Sequence, residues 1–265
     1  MRITASRIPV AIGLFVTWMV VTWALEGRIE TFLRPDAVFD RVLYAVVANL
    51  LIGVVGATCA IRWLWRTGAI RLLDAGFGPA SRTVAAVICG ATLGFALYVA
   101  QGAPSLNLVV IFNAYLQVLV VSTAEILVCW SVVATVVDAR LRHRGRLIAI
   151  VVGSGCASAL FGLYHYAHSA PFNTIGMVAL LTLVGLATSI FFFVSQDVYG
   201  TIVFHNFLGT YGVVHALKAS AVLDSFTTLQ IPLMTMAIVT TAALIAADRF
   251  WLRRAEAAAP SWPPA

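Results

Sequence analysis

The sequence predicts an all-α, polytopic membrane protein of about eight transmembrane helices with both termini cytoplasmic, and three observations carry that prediction. The first is composition. Of 265 residues, 61% are hydrophobic and 11% charged, with a mean hydropathy of +0.96. A soluble domain carries about 25% charged residues, so this chain has too little polar surface to face water all round. The second is patterning. The apolar residues fall into eight runs, at 8–25, 42–61, 83–101, 108–137, 147–166, 174–194, 198–216 and 229–247. Each is long enough to cross a hydrocarbon core of about 30 Å as a helix. The third is charge placement. With the N-terminus inside, thirteen Arg fall in the inner segments, and only Arg28, Arg34, Arg41 and Lys218 fall in the outer ones. Positive charge accumulates on the cytoplasmic side.

Each element follows from local signals. Residues 8–25 come after Arg2 and Arg7 with no small-residue cleavage site, and Trp18 and Trp23 suit the membrane interface, so a retained first span is expected. The stretch EGRIETFLRPDAVFDR (26–41) is amphipathic and reads as an interfacial loop. The fourth run is the longest and is expected to tilt or to extend past the headgroups. DARLRHRGR (138–146) reads as a topology-setting cytoplasmic loop that can also meet anionic lipid heads. The tail, 255–265, ends in SWPPA and is expected to be disordered. One membrane domain, 1–265, is the simplest organisation.

Several function classes drop out. The Arg residues sit in short loops, where topology accounts for them, so nucleic acid is not an expected partner; membrane lipids are. Cys59, Cys89, Cys129 and Cys156 all lie in apolar runs without a CxxC pair, which argues against a disulfide framework or a cysteine zinc site. Sixteen of the seventeen basic residues are Arg, a bias that GC-rich bacterial coding produces, so the expected location is a bacterial inner membrane.

Ionisable groups inside a bilayer are costly and are functional candidates by default. Glu125 is the carboxylate in the middle of an apolar run, VSTAEILVCW. FGLYHYAH (161–168) ends the fifth run with His165 and His168 three apart and Phe161 one helical turn before His165. TIVFHNFLGTYG places His205 and Asn206 in the seventh run. Three spans with one strong polar group each point to a shared polar cavity, because each unpaired group would cost a few kcal/mol, ~1–3. Counted from the expected inner borders at 1.5 Å per residue, Glu125, His165 and His205 spread over about 16 Å, with Glu125 and His165 the better-matched pair. His168, at the end of its run, reads as an interfacial or capping residue, and Asn206 would reach the cavity from another side.

FGLYH fits the F-x-x-x-H motif of the CPBP family (CAAX proteases and bacteriocin-processing enzymes, also called Abi), and the region around 108–216 resembles that family's core in motif order. The family is similar to the type II CAAX prenyl protease. The resemblance implies an intramembrane endopeptidase that cleaves a membrane-associated peptide or protein. Glu125 and His165 would activate a water, His205 would stabilise the oxyanion, Phe161 would pack behind His165, and Asn206 and His168 would support the site. It implies a metal-free reaction; the alternative is a divalent metal such as zinc held by Glu125, His165 and His205. The sequence also departs from the family pattern. Where E-E-x-x-x-R is expected, Ala124 takes the first Glu and Cys129 the Arg; sliding the register puts Ile126 and Trp130 there instead. Gly209 stands where H-x-x-x-N expects Asn. A catalytically inactive relative that binds a partner or carries a substrate is therefore the competing reading.

Overall fold

The computed structural model describes residues 7–31, 34 and 36–253. The expected disordered tail, and Arg2 and Arg254 of the charge argument, lie outside the described residues. The structure is helical throughout, with no strand among the described residues. Seven helices are long and apolar enough to cross a membrane: α1 Arg7–Gly27, α2 Val38–Arg66, α3 Ala80–Ala100, α4 Leu108–Arg144, α5 Arg146–Ala167, α6 Ile175–Ser195 and, after α7, α8 Ile231–Leu252. The remaining expected span, 198–216, is also a continuous helix, α7 Val198–Ala219. His205, Asn206, Thr210 and His215 lower its hydropathy, so it is not among the seven. The chain is a multi-pass helical protein with the composition of a membrane domain.

Helix ends follow the sequence. Asn107 caps α4 by accepting from the Val109 and Val110 amides, Thr174 caps α6 through Met177 N, and Asp197 caps α7 through Gly200 N at 2.8 Å. Gly145, at φ 115°, turns the chain between α4 and α5 in a conformation that L side chains rarely adopt.

This corrects the reading of 138–146 as a loop. α4 continues through Asp138 and closes in a 3-10 turn at Arg142–Arg144, leaving Gly145 as the whole connection. The reason is local pairing. Asp138 accepts from Arg142 one turn on, and Arg142 Nη1 also lies 2.9 Å from Asp74 in the 67–79 loop. Arg71 adds a second guanidinium to Asp74 at 2.7 Å. Burial alone would raise the Asp74 carboxyl, but these two Arg residues hold it below the usual carboxylate range.

α4 is the axis of the bundle. Of its apolar window 89% is buried, against 22–44% in the other six, and it packs on α1, α2, α5, α7 and α8. α3 and α7 cross closely: a side chain at Gly90 would run into the Gly200 carbonyl, and one at Gly200 into Ala86. Outward faces are apolar: Val84, Ile88, Leu183, Ile190 and Val194 are exposed there, as are Cys59 and Cys89. None of the four cysteines is paired.

Candidate active-site cavity

The polar groups expected to meet do meet. Glu125 ends the regular part of α4, just before a π-helical segment, Ile126–Ala134, which has more residues per turn than an α-helix. Its side chain is buried and lies between two imidazoles. His205 Nε2 of α7 is 3.0 Å from Glu125 Oε2, and His165 Nε2 of α5 is 3.8 Å from Glu125 Oε1. The expected spread of about 16 Å is thus overturned, and His205 rather than His165 is the nearer partner. Counting residues from the expected border does not measure depth here, because α7 starts inside the bundle, next to the fully buried Asp197, and the helices therefore share no common inner level.

Each ring is held from behind. His165 Nδ1 is 2.8 Å from the Phe161 carbonyl oxygen. That oxygen can only accept, so Nδ1 carries the proton and, in the neutral ring, Nε2 presents its lone pair toward Glu125. His205 Nδ1 is 2.8 Å from Thr188 Oγ1, whose hydroxyl also contacts the Val184 carbonyl. At 3.0 Å a proton lies between His205 Nε2 and Glu125. Phe161 packs edge-on to both imidazoles, with centroids 4.7 Å from His165 and 4.9 Å from His205. Trp130 lies against His205 and donates to Ser189 at 2.8 Å.

Two expectations change. His168 is not a free interfacial cap. Its Nδ1 is 3.0 Å from Glu26 Oε2, its ring stacks on His165 with centroids 5.3 Å apart, and its Nε2 is buried without a hydrogen-bond partner among the described residues. Asn206 does not reach the cavity. Its amide donates to the Tyr115 carbonyl at 3.0 Å, because the neighbour of His205 on a helix points about 100° away. Gly209 borders the cavity, and a Cβ there would lie 2.7 Å from Val118 Cγ1, so α7 and α4 approach too closely for the Asn of the family pattern.

Sequence reasoning missed Glu26 and Arg41. Both were placed in an interfacial loop, and both are buried, Glu26 at 2% and Arg41 at 3% exposure. Glu26 sits in the last turn of α1 and accepts from the Ser169 amide at 2.9 Å and from the Ser169 hydroxyl, besides His168. Arg41 lies in the first turn of α2. A signal was available: a carboxylate at a helix C-terminus and a cation at a helix N-terminus both oppose the helix dipole, so each calls for a specific partner. A lattice of hydroxyls joins these elements. Tyr164 OH is 3.0 Å from Tyr44 OH and 3.2 Å from Thr22 Oγ1, and its ring stacks on Trp18.

Glu26, Arg41, Tyr44, Glu125, Phe161, His165, His168 and His205 border one cavity of about 130 Å³. Glu125, His165, His168 and His205 line it together with Glu26, which meets His168; Arg41, Thr31 and Gln117 also line it, and the rest is largely aliphatic, including Val118, Val121, Leu181, Val184, Leu233 and Met236. For a metal, the atoms that come within reach of a single ion belong to Glu125, His165 and His168, within 4.8 Å of one another. His205 is not in that set; its Nε2 is engaged with Glu125 itself. Chemically, the arrangement can hold a water against a carboxylate and a basic imidazole nitrogen in an apolar enclosure. No family model matches the chain, and no curated protein or solved structure is significantly similar to it.

Proposed function

We propose that this chain is an intramembrane endopeptidase of the CPBP type that hydrolyses a membrane-associated peptide or protein with a water activated by Glu125 and His165. The observation that carries this reading is the Glu125 carboxylate, buried at a cavity wall with His205 at 3.0 Å and His165 at 3.8 Å. In the proposed reaction, the water sits between Glu125 Oε1 and His165 Nε2. As it attacks the scissile carbonyl carbon, its proton passes to the Glu125–His165 pair, and the carbonyl oxygen takes up the negative charge. The proton then goes to the leaving amine nitrogen as the C–N bond breaks. His205 shares a proton with Glu125 and so sets which carboxylate oxygen faces the water; this differs from the oxyanion role that the resemblance implies. The apolar walls strengthen each of these interactions by lowering the local dielectric. The location that goes with this reading is a bacterial inner membrane with both termini cytoplasmic, supported by the Arg distribution.

A second reading concerns how the water is activated. Glu125, His165 and His168 offer one carboxylate and two imidazoles, a donor set that suits zinc. Phe161 O behind His165 and Glu26 behind His168 are the kind of outer partners that orient metal-binding imidazoles. A bound ion would polarise water at the same place.

The test uses the full chain in lipid nanodiscs, incubated with a library of single-span membrane peptides and read by mass spectrometry. Wild type is expected to give cleavage products that Glu125→Gln and His165→Ala lack, with added chelator separating the metal-free from the metal-assisted route. Products of equal yield from wild type and Glu125→Gln would refute the assigned roles. No products from any chain would favour the inactive, partner-binding reading that Ala124, Cys129 and Gly209 suggest.

A further inference from the structure

Arg41 poses a problem that the hydrolytic reading does not use. Its guanidinium is sealed from water, and only Nη1 is partnered, donating to the Arg34 carbonyl at 2.6 Å and the Thr31 carbonyl at 3.3 Å. Nε and Nη2 have no acceptor among the described residues. A buried charge with no direct ion pair and two unmade hydrogen bonds is expensive, and Asp36 and Asp40 act on it only from a distance. The carboxylates that could serve are committed elsewhere. Asp36 and Asp40 lie 3.5 Å and 3.7 Å from Arg34. Glu26 is taken by His168 and Ser169.

What Arg41 does border is the cavity. Two neighbours along the same wall repeat the pattern: Thr31 Oγ1 and Gln117 Oε1 are buried, line the cavity and have no partner among the described residues. The two unpartnered nitrogens of Arg41 are also a matched pair. Nε and Nη2 form one edge of the planar guanidinium, with two parallel N–H bonds spaced for two oxygens of a single anion.

From this geometry we propose that the cavity binds an apolar chain ending in an anionic two-oxygen head, a carboxylate or a phosphate, with the head seated on the Nε/Nη2 edge of Arg41. Charge fixes the direction. The Glu125 and Glu26 carboxylates repel an anion from the imidazole side, so the head goes to Arg41 and the apolar chain lies along Val118, Val121 and Leu233. The cavity then has a recognition pole at Arg41 and a reaction pole at Glu125. This extends the reading of the cavity as the functional site, and binding is read without turnover, so the two fail separately.

The experiment measures thermal stability and binding of the full chain in a neutral maltoside detergent at pH 8, with dodecanoate, dodecyl phosphate and dodecanol as probes. Dodecanoate or dodecyl phosphate is expected to raise the melting temperature saturably, and dodecanol is expected to leave it unchanged. A shift with one head alone identifies whether carboxylate or phosphate is the natural chemistry. Arg41→Gln should weaken binding of the active probe at least about tenfold, the loss of one charge-assisted pair, while Lys218→Gln, which removes the same charge from an exposed position outside the cavity, should bind as wild type does. The wild-type comparison of acid with alcohol stands even where Arg41→Gln does not fold. Equal shifts from dodecanol and the anions would overturn the proposal. So would no shift from either anion, or undiminished anion binding by a folded Arg41→Gln chain.

Discussion

Two clusters of buried charge are built on α4, and they follow opposite rules. At the Arg142 end, Asp74 and Asp138 are each met by guanidinium groups, and Arg142 bridges both carboxylates. Every charge there has a partner of opposite sign, and Arg71 and Arg142 still reach solvent. At the Glu125 level, the carboxylate faces imidazoles whose outer nitrogens are fixed by Phe161 and Thr188, and the cluster opens onto a cavity bordered by unpartnered polar atoms of Arg41, Thr31 and Gln117. The first cluster ties the end of α4 to the 67–79 loop. The second leaves hydrogen-bonding capacity unspent beside empty volume, which is what a ligand site requires and a purely structural ion pair avoids.

That contrast can be broken or sharpened by substitution. The largest effect is expected at the cavity: Glu125→Gln should lower hydrolysis by about 100-fold or more, the usual weight of a general base, while the melting temperature in detergent stays close to that of wild type. Next comes Arg142→Ala, which removes the guanidinium from Asp138 while Arg71 still holds Asp74, and should destabilise the fold by about 1–3 kcal/mol, as measured by denaturant unfolding, with the cleavage pattern unchanged. Gly209→Asn should cost about 1–3 kcal/mol, because the side chain overpacks Val118; a gain in stability would show that α7 and α4 are farther apart than described. The smallest effect is the pH response of Asp74. Its carboxyl is held low in the folded chain, so its contribution is present above the unfolded carboxylate pKa and is lost as pH falls through the folded one. Unfolding measured from pH 7 down to 3 should show stability falling with acid, and Asp74→Asn should flatten part of that slope.

The comparison also shows what a sequence of this kind discloses. Eight helices were legible because a bilayer demands long apolar runs, and the boundaries failed only where charge was misread as solvent exposure. DARLRHRGR looked like a loop from its five charges, yet Asp138 and Arg142, four apart, pair along a helix and extend it. Glu125, Phe161, His165 and His205 were visible as polar or patterned residues in apolar surroundings. Their spacing was not, because border counting assumes a common inner level and α7 starts inside the bundle, next to the fully buried Asp197. Glu26 and Arg41 were hidden by their position at helix ends, where a charge ordinarily reaches water. Only tertiary packing buries them: α1 ends against the Ser169 turn, and α2 begins under the Thr31 and Arg34 carbonyls. His168 changed standing for the same reason, since its partner is Glu26.

The central claim is that the Glu125 cluster performs chemistry and the Asp74–Arg142 cluster supports the fold. It is tested most directly by comparing membrane peptide products from cells expressing wild type, Glu125→Gln or Asp74→Asn at matched protein levels. The account predicts that a set of cleaved peptides disappears with Glu125→Gln and persists with Asp74→Asn. Identical peptide sets from wild type and Glu125→Gln would contradict it.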